Sequence, residues 1–430
     1  MSSFRPFFTS LLTLSLLSTA SSGTSTVLVS TAHAASVGSS ATTSSSANAL
    51  LTPLWQVSAD GTGIYDQQQA VMNGTLYYSH KNMLYAKHIA TGKTLWSYKQ
   101  GEHPQILTSN SVFFINNQEQ LVKVSASTGK LVWKVKLSAK PMEIGGQARL
   151  INGTLYFANE SGGMAAYHPV TGKKLWENKD IPMYAGKIYG EFSGVIVASS
   201  TVDNIRTQFF GLDPSTGKRL WRTEGLHSYV TSEKGQLVLQ EQVPGYQITL
   251  VQLNPVTGKI SGQEKYKPHG NVSGLSSYTA SIQNSYLYSV NTVNGKDEYV
   301  LTRFTRSRDT AASFKSYASY GNWLTGPIGG MAYFQQGTQV SGIRLADDSV
   351  VVFDHPAEPV MQLQRTSHAV FAIYSNGNIS INHADTGALL GMIRSGASSP
   401  RFGVISIVNG TAIIPTENNI IAVTLPAEYQ

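Results

Sequence analysis

Apolar and polar residues alternate along most of the chain in short runs, and turn residues interrupt each run. A period of two, rich in β-branched and aromatic side chains, predicts half-buried strands rather than helices. Two kinds of turn separate them. Asn73-Gly74-Thr75, Asn152-Gly153-Thr154 and Asn409-Gly410-Thr411 place Asn-Gly between alternating runs, the strongest short hairpin signal. These triplets also match the Asn-x-Thr glycosylation pattern, but the hairpin reading needs no modification and is preferred. The second kind is Asp/Asn/His-Pro-x-Thr-Gly, as at Asp213-Pro214 and Asn254-Pro255. Proline presets the turn there, and glycine supplies the positive φ that lets the hairpin reverse.

The second turn recurs. Ala90-Thr91-Gly92-Lys93-Thr94-Leu95-Trp96 is repeated as Ser127-Thr128-Gly129-Lys130-Leu131-Val132-Trp133, Val170-Thr171-Gly172-Lys173-Lys174-Leu175-Trp176 and Ser215-Thr216-Gly217-Lys218-Arg219-Leu220-Trp221. Weaker copies stand at Thr257-Gly258-Lys259 and Thr386-Gly387-Ala388, without the Trp. Successive glycines are 37, 43, 45 and 41 residues apart, and Gly258 to Gly387 is 129, close to three periods. Two degenerate copies fill that gap, around Ser307-Arg308-Asp309 and Ala346-Asp347-Asp348.

A period near 40 residues with four short strands cannot bury both its faces alone, whereas a ring of such units can. The fold class expected is all-β, a single β-propeller of eight or nine four-stranded blades with nine the best count. The sixth unit (278–317) and the seventh (323–353) are the least regular. Leu54-Trp55-Gln56-Val57 is a lone Leu-Trp strand at the start, and Ile420 to Leu425 is a strand lacking its Leu-Trp partner at the end. If the first completes the last blade, the ring closes and neither edge stays open. The repeat tryptophans, Trp55 included, are expected to fill the wedge between neighbouring sheets.

Glycine is abundant at 39 residues, aromatics make up 10% and only 13% are charged, which suits tight turns and a large core and excludes global disorder. The N-terminus has the layout of an export signal: Arg5, then the apolar stretch Phe7 to Leu17, then Ala32-His33-Ala34 as a small-x-small cleavage site. The organisation expected is residues 1–34 signal peptide, 35–51 Ser/Thr/Ala-rich linker and 52–430 propeller, secreted or associated with a bacterial cell envelope. No other stretch approaches the length of a membrane helix. There is no cysteine, which removes disulfides, thiol chemistry and a lipid-modified N-terminal Cys. The net charge of +7 is a mild basic bias that favours anionic envelope surfaces. Arg303, Arg306 and Arg308 form the densest cationic run, too sparse for a nucleic-acid groove.

The Thr-Gly-Lys-x-Leu-Trp signature at this spacing resembles the pyrroloquinoline-quinone-type propeller repeat, strongly over 84–221 and weakly over 262–354. The resemblance implies one of two branches. One contains quinone-dependent dehydrogenases of alcohols or sugars, which stack the quinone between a tryptophan and a disulfide of adjacent cysteines and hold calcium with Glu, Asn and Asp. The other contains non-catalytic propellers, among them the barrel-assembly lipoproteins, which share the lone first strand and the closing last strand. The second branch is closer in size and layout. The function expected is therefore an exported, non-catalytic, monomeric binding scaffold for a protein or cell-wall polymer, with no cofactor, metal or nucleic acid; the alternative is a quinone-dependent dehydrogenase.

Loops joining the last strand of one blade to the first of the next gather on one face. They hold Tyr65, Tyr184, Tyr189, Tyr229, Tyr278, Tyr320 and Trp323, together with His103, His227, His269 and His355. An aromatic, weakly basic mouth of this kind stacks sugars or clamps extended peptide; the competing reading is that the rings fill space between blades. The histidines come from separate units, without the local spacing of a metal site.

Overall fold

The computed structural model describes residues 50–430 apart from 62–69, 139–145, 183–184, 202–206, 224, 226, 242–246, 268–276, 284–285, 293–298, 307–313, 318–319, 355–357 and 398–400. The predicted signal segment thus lies outside the described residues, as do Tyr65, Tyr184, His269, His355 and the degenerate repeat at Ser307.

The described strands pair antiparallel and fall into nine sets of four, here called blades, each with strands A to D in chain order. Blade 1 is Ala70–Met72, Thr75–Ser79, Met83–His88 and Thr94–Lys99. Strand A of blades 2 to 8 is, in order, Pro104–Thr108, Gly146–Ile151, Ala185–Phe192, His227–Glu233, Ser277–Gln283, Asn322–Ile328 and Val360–Arg365. Blade 9 has Ser406–Val408, Thr411–Pro415 and Asn419–Thr424, and its fourth strand is Trp55–Ser58 from the other end of the chain, with Trp55 opposite Ala422. Blades 4 and 5 share one ladder pair, Thr207 with His227. The Asn-Gly turns are the A–B hairpins, with Asn73 at φ 51 and Gly74 at φ 71, the two positive values of a type I′ turn.

Nine hydrophobic clusters hold the blades together, and each is shared by two successive blades. Tyr77 and Leu84 of blade 1 meet Phe114 and Val122 of blade 2. At the seam, Ile413 and Ala422 of blade 9 meet Leu76 and Tyr78 of blade 1, so the ring is closed. Each fully buried Leu or Phe in these joints contributes on the order of 1.5–3 kcal/mol. The innermost strands are also clasped by glutamine amides. Gln105 accepts from Ala148 N (2.6 Å) and donates to Gly146 O (3.0 Å), and Gln364 does the same with Ile405 N and Gly403 O.

Five joints are locked by indoles. Trp55, Trp96, Trp133, Trp176 and Trp221 each lie over the turn glycine of the following blade: Gly92, Gly129, Gly172, Gly217 and Gly258. Each indole N–H donates to a backbone carbonyl of that turn: Ile89, Ala126, Pro169, Pro214 and Pro255, at 2.6–3.2 Å. Gly217 shows why no other residue fits. Its φ is +71, and a Cβ there would sit 2.3 Å from the Trp176 ring.

Blades 6 to 8 use guanidinium groups instead. Arg306, at the end of blade 6 strand C (Tyr299–Thr305), makes a two-carboxylate clamp on blade 5. Its Nη1 donates to both oxygens of Glu233 (2.7 and 2.6 Å), while Nε and Nη2 donate to Glu264 (3.0 and 2.7 Å). The Glu264 carboxylate also accepts from Tyr266 OH at 2.5 Å. Arg303 Nη1 donates to Leu345 O of blade 7 (3.1 Å), the turn carbonyl that an indole reaches elsewhere, and Arg344 Nη2 donates to Asp385 O of blade 8.

Candidate binding face

Four antiparallel strands put the B–C turns and D–A loops of every blade on one face, and the A–B and C–D turns on the other. The structure separates the predicted mouth residues into three joints. Tyr189 and Tyr229 meet at the joint of blades 4 and 5, with ring centroids 4.7 Å apart, and Phe209 lies 5.1 Å from Tyr189. The Tyr189 hydroxyl is 3.2 Å from Ser199 Oγ, and burial pushes its phenol up to about 12. His227, in the same joint, is buried; burial lowers its pKa against an opposing pull from Glu241. Tyr320 and Trp323 pack at the joint of blades 6 and 7, where Tyr320 lies 5.9 Å from Phe334. His103, just ahead of blade 2 strand A, has its imidazole pKa lowered by burial, and its Nε2 has no partner among the described residues. Tyr278 lies in blade 6 strand A, with its side chain outside the described part. The six side chains that are described are distributed over separate joints, with His227 buried and His103 half-buried.

Two features of this face come from residues that pattern reading passes over. The first is a polar group around the B–C turn of blade 1, between the seam with blade 9 and the loop to blade 2. Asp60 Oδ1 accepts from Lys81 N at 3.0 Å and lies 3.7 Å from His80 Nδ1. Burial, then the nearby Asp60 charge, raises the Glu102 carboxyl pKa. Asp60, the adjacent pair His80 and Lys81, and Glu102 come from three segments 20 or more positions apart, so only the fold assembles them. Among the described residues, no three His, Asp or Glu side chains lie close enough together to hold a metal.

The second is a cleft of about 380 Å³ between blades 2 and 3. The loop after blade 2 strand D (Leu131–Lys136) gives Leu137 and Ser138. Blade 3 gives the apolar Phe157, Met164 and Ile181, with Glu177 and Lys179 on the polar side. Glycines at 162 and 163 keep the B–C turn small at its edge. Burial works to raise the Glu177 carboxyl pKa, but hydrogen bonds from Lys174 and Ser138 and the nearby ammonium groups outweigh it and lower the pKa. The cleft therefore offers an apolar floor beside a carboxylate held in its charged form.

Residues 52–186 match the family profile described as outer membrane protein assembly factor BamB. A curated relative, quinoprotein alcohol dehydrogenase PedH of Pseudomonas putida (strain KT2440), is 29% identical over 164 residues; the match takes in 32% of this chain and 27% of that protein. Among solved structures, BamB from Moraxella catarrhalis aligns with a TM-score of 0.45 at 11% identity, over 87% of this chain and 100% of that one. Quinohemoprotein alcohol dehydrogenase from Comamonas testosteroni aligns at 0.46 and 13%, over 87% and 77%. The C-terminal WD40 domain of Sif2 aligns at 0.48 and 10%, over 88% and 99%. The profile match is seated on blades 1 to 3, and the same four-stranded unit is repeated around the ring of an all-β propeller.

Proposed function

We propose that this chain is an exported, non-catalytic scaffold that holds a protein or cell-envelope partner on its B–C/D–A face, as a monomer. The observation that carries this reading is the cleft between blades 2 and 3. It lies inside the segment that matches the assembly-factor profile, and it pairs an apolar floor at Phe157, Met164 and Ile181 with a charged rim at Glu177 and Lys179. Concave, mostly apolar sites with a few placed polar groups are what binding surfaces use. The interlocked joints keep the site preformed, which lowers the ordering cost of association.

The test is site-specific photo-crosslinking in the native host. A crosslinker at Ser138 or Lys179 should capture one defined partner, whereas one at Lys234, on the opposite face, should not. Equal labelling from both faces would remove the assignment.

The identity shared with PedH over 164 residues raises a second reading, a quinone-dependent dehydrogenase. The residues present do not fit the quinone. Five of the six tryptophans are committed to joints with their N–H groups on backbone carbonyls, and the sixth, Trp323, packs between blades 6 and 7. With no cysteine in the chain, the second wall of the family's quinone stack has no counterpart. Quinone and Ca²⁺ added to the full chain should leave its melting temperature unchanged and produce no dye reduction with alcohols or sugars.

A further inference from the structure

The C–D hairpins of blades 1 to 5 differ in charge from those of blades 7 to 9. Each of the first five carries an exposed lysine directly after its turn glycine: Lys93, Lys130, Lys173, Lys218 and Lys259. Seven more exposed cations follow on the same five D strands, among them Lys134, Arg219 and Arg222. The acids there are three: Glu177 is paired with Lys174, Glu264 is clamped by Arg306, and Asp213 caps its own turn. The corresponding C–D hairpins of blades 7 and 8, with the turn after strand C of blade 9, hold two cations, Arg344 and Arg394, against four acids: Asp347, Asp348, Asp385 and Glu428. No carboxylate lies within ion-pair distance of Lys130, Lys173 or Lys218 among the described residues.

Strand alternation adds a second element. Because each repeat Trp points into its joint, the residue before it must point out. Leu95, Val132, Leu175 and Leu220 are accordingly each about half exposed (48–50%). The outer rim therefore repeats one unit, a cluster of cations beside an aliphatic side chain, at each of blades 1 to 4 along a convex arc, and the cations continue onto blade 5.

We propose that this arc binds a flexible, linear acidic polysaccharide, its carboxylate or phosphate groups meeting successive lysine clusters and its sugar rings lying on the aliphatic residues. The surface is distinct from the cleft and stands without it. Three observations select this partner. A convex row of charges is followed by a chain that bends, whereas a flat bilayer touches only the blade or two at the point of tangency. Single-stranded nucleic acid is held by stacking its bases on aromatic faces, and here the rim indoles lie against glycines inside the joints. The charge contrast between the two arcs gives the ligand a start and an end.

The experiment measures binding of the full chain to polygalacturonate at two salt concentrations, with uncharged galactan, a single-stranded DNA of matched charge and anionic phospholipid vesicles as comparators. Polyanion binding weakens with salt in proportion to the charges neutralised. The variant Lys130→Gln/Lys173→Gln/Lys218→Gln should bind polygalacturonate at least about tenfold more weakly and with a shallower salt dependence. The control Lys81→Gln/Lys187→Gln/Lys234→Gln removes the same charge elsewhere and should lose less than about twofold. All three rim positions are exposed, and the Lys→Arg triple should keep full binding. Equal losses in the rim and control variants would overturn the proposal, as would no binding to polygalacturonate or tighter binding to the DNA or the vesicles.

Discussion

From the seam to blade 5, each joint is closed by one indole: a flat ring over a glycine, one N–H on one carbonyl. From blade 5 to blade 8, arginines reach across instead, and the one at the first of these joints needs two carboxylates to balance it. The comparison separates two ways of spanning the same wedge. An indole adds buried apolar area and needs a single acceptor. A guanidinium brings several donors and a charge, so its site must supply anions and bear the cost of removing them from water. The first solution repeats without neighbours of special type; the second is particular to each joint.

The largest effect is expected from removing a dock. Trp176→Ala deletes a buried ring and leaves Pro214 O without its donor, so it should destabilise by up to about 5 kcal/mol in urea unfolding. A loss below about 1 kcal/mol would mean that the tryptophan arc does not depend on its indoles. Arg306→Met should cost about 3 kcal/mol, because Glu264 is left as a buried charge without its guanidinium. Arg306→Met/Glu264→Gln should recover much of that. Failure to recover would show that the guanidinium packs rather than pairs.

The smallest effect is graded with pH. His103 and His227 have folded pKa values below their ordinary 6.5, in both cases through burial first. The unfolded chain therefore takes up the proton before the folded one, so the contribution is intact above 6.5 and is lost as pH falls below it. Each contributes a slope of at most about 1.4 kcal/mol per pH unit. His103→Gln and His227→Gln should flatten the decline of melting temperature between pH 7 and 5, and an unchanged decline would place the acid sensitivity elsewhere. Both residues stand in joints that indoles close, so acid should loosen that arc first.

The tryptophan arc was legible in the sequence because each of blades 1 to 4 carries half of two docks, a glycine for the indole of the blade before and, four places later, a Trp for the glycine of the blade after, and the pair repeats. In the arginine arc the same backbone persists under different residues. Asp348 stands where the turn glycine stands in other blades and adopts φ 64, and its N–H donates to Arg344 O at 2.8 Å as Gly217 N–H does to Asp213 O. With no indole pressing on that position, a Cβ is tolerated and the motif fades, although a propeller of eight or nine units was still readable from spacing. The binding face was far less legible. Tyrosines that fill a joint and tyrosines that face a ligand begin strands in the same way, and the cleft of blades 2 and 3 or the pairing of Arg306 with Glu233 joins residues from separate units, which no local spacing announces.

The strand Trp55–Ser58 has a consequence for how the molecule is made. It is the first of the described strands to leave the ribosome, and its partner Asn419–Thr424 is the last to be synthesised. A nascent chain can stack blade on blade as it grows, but it cannot fasten until residues 419–424 arrive. Any product stopped short of residue 419 carries a raw strand edge at both ends and is marked for proteolysis or aggregation. The connectivity is thereby a clasp that shuts only once residues 419–424 have been made.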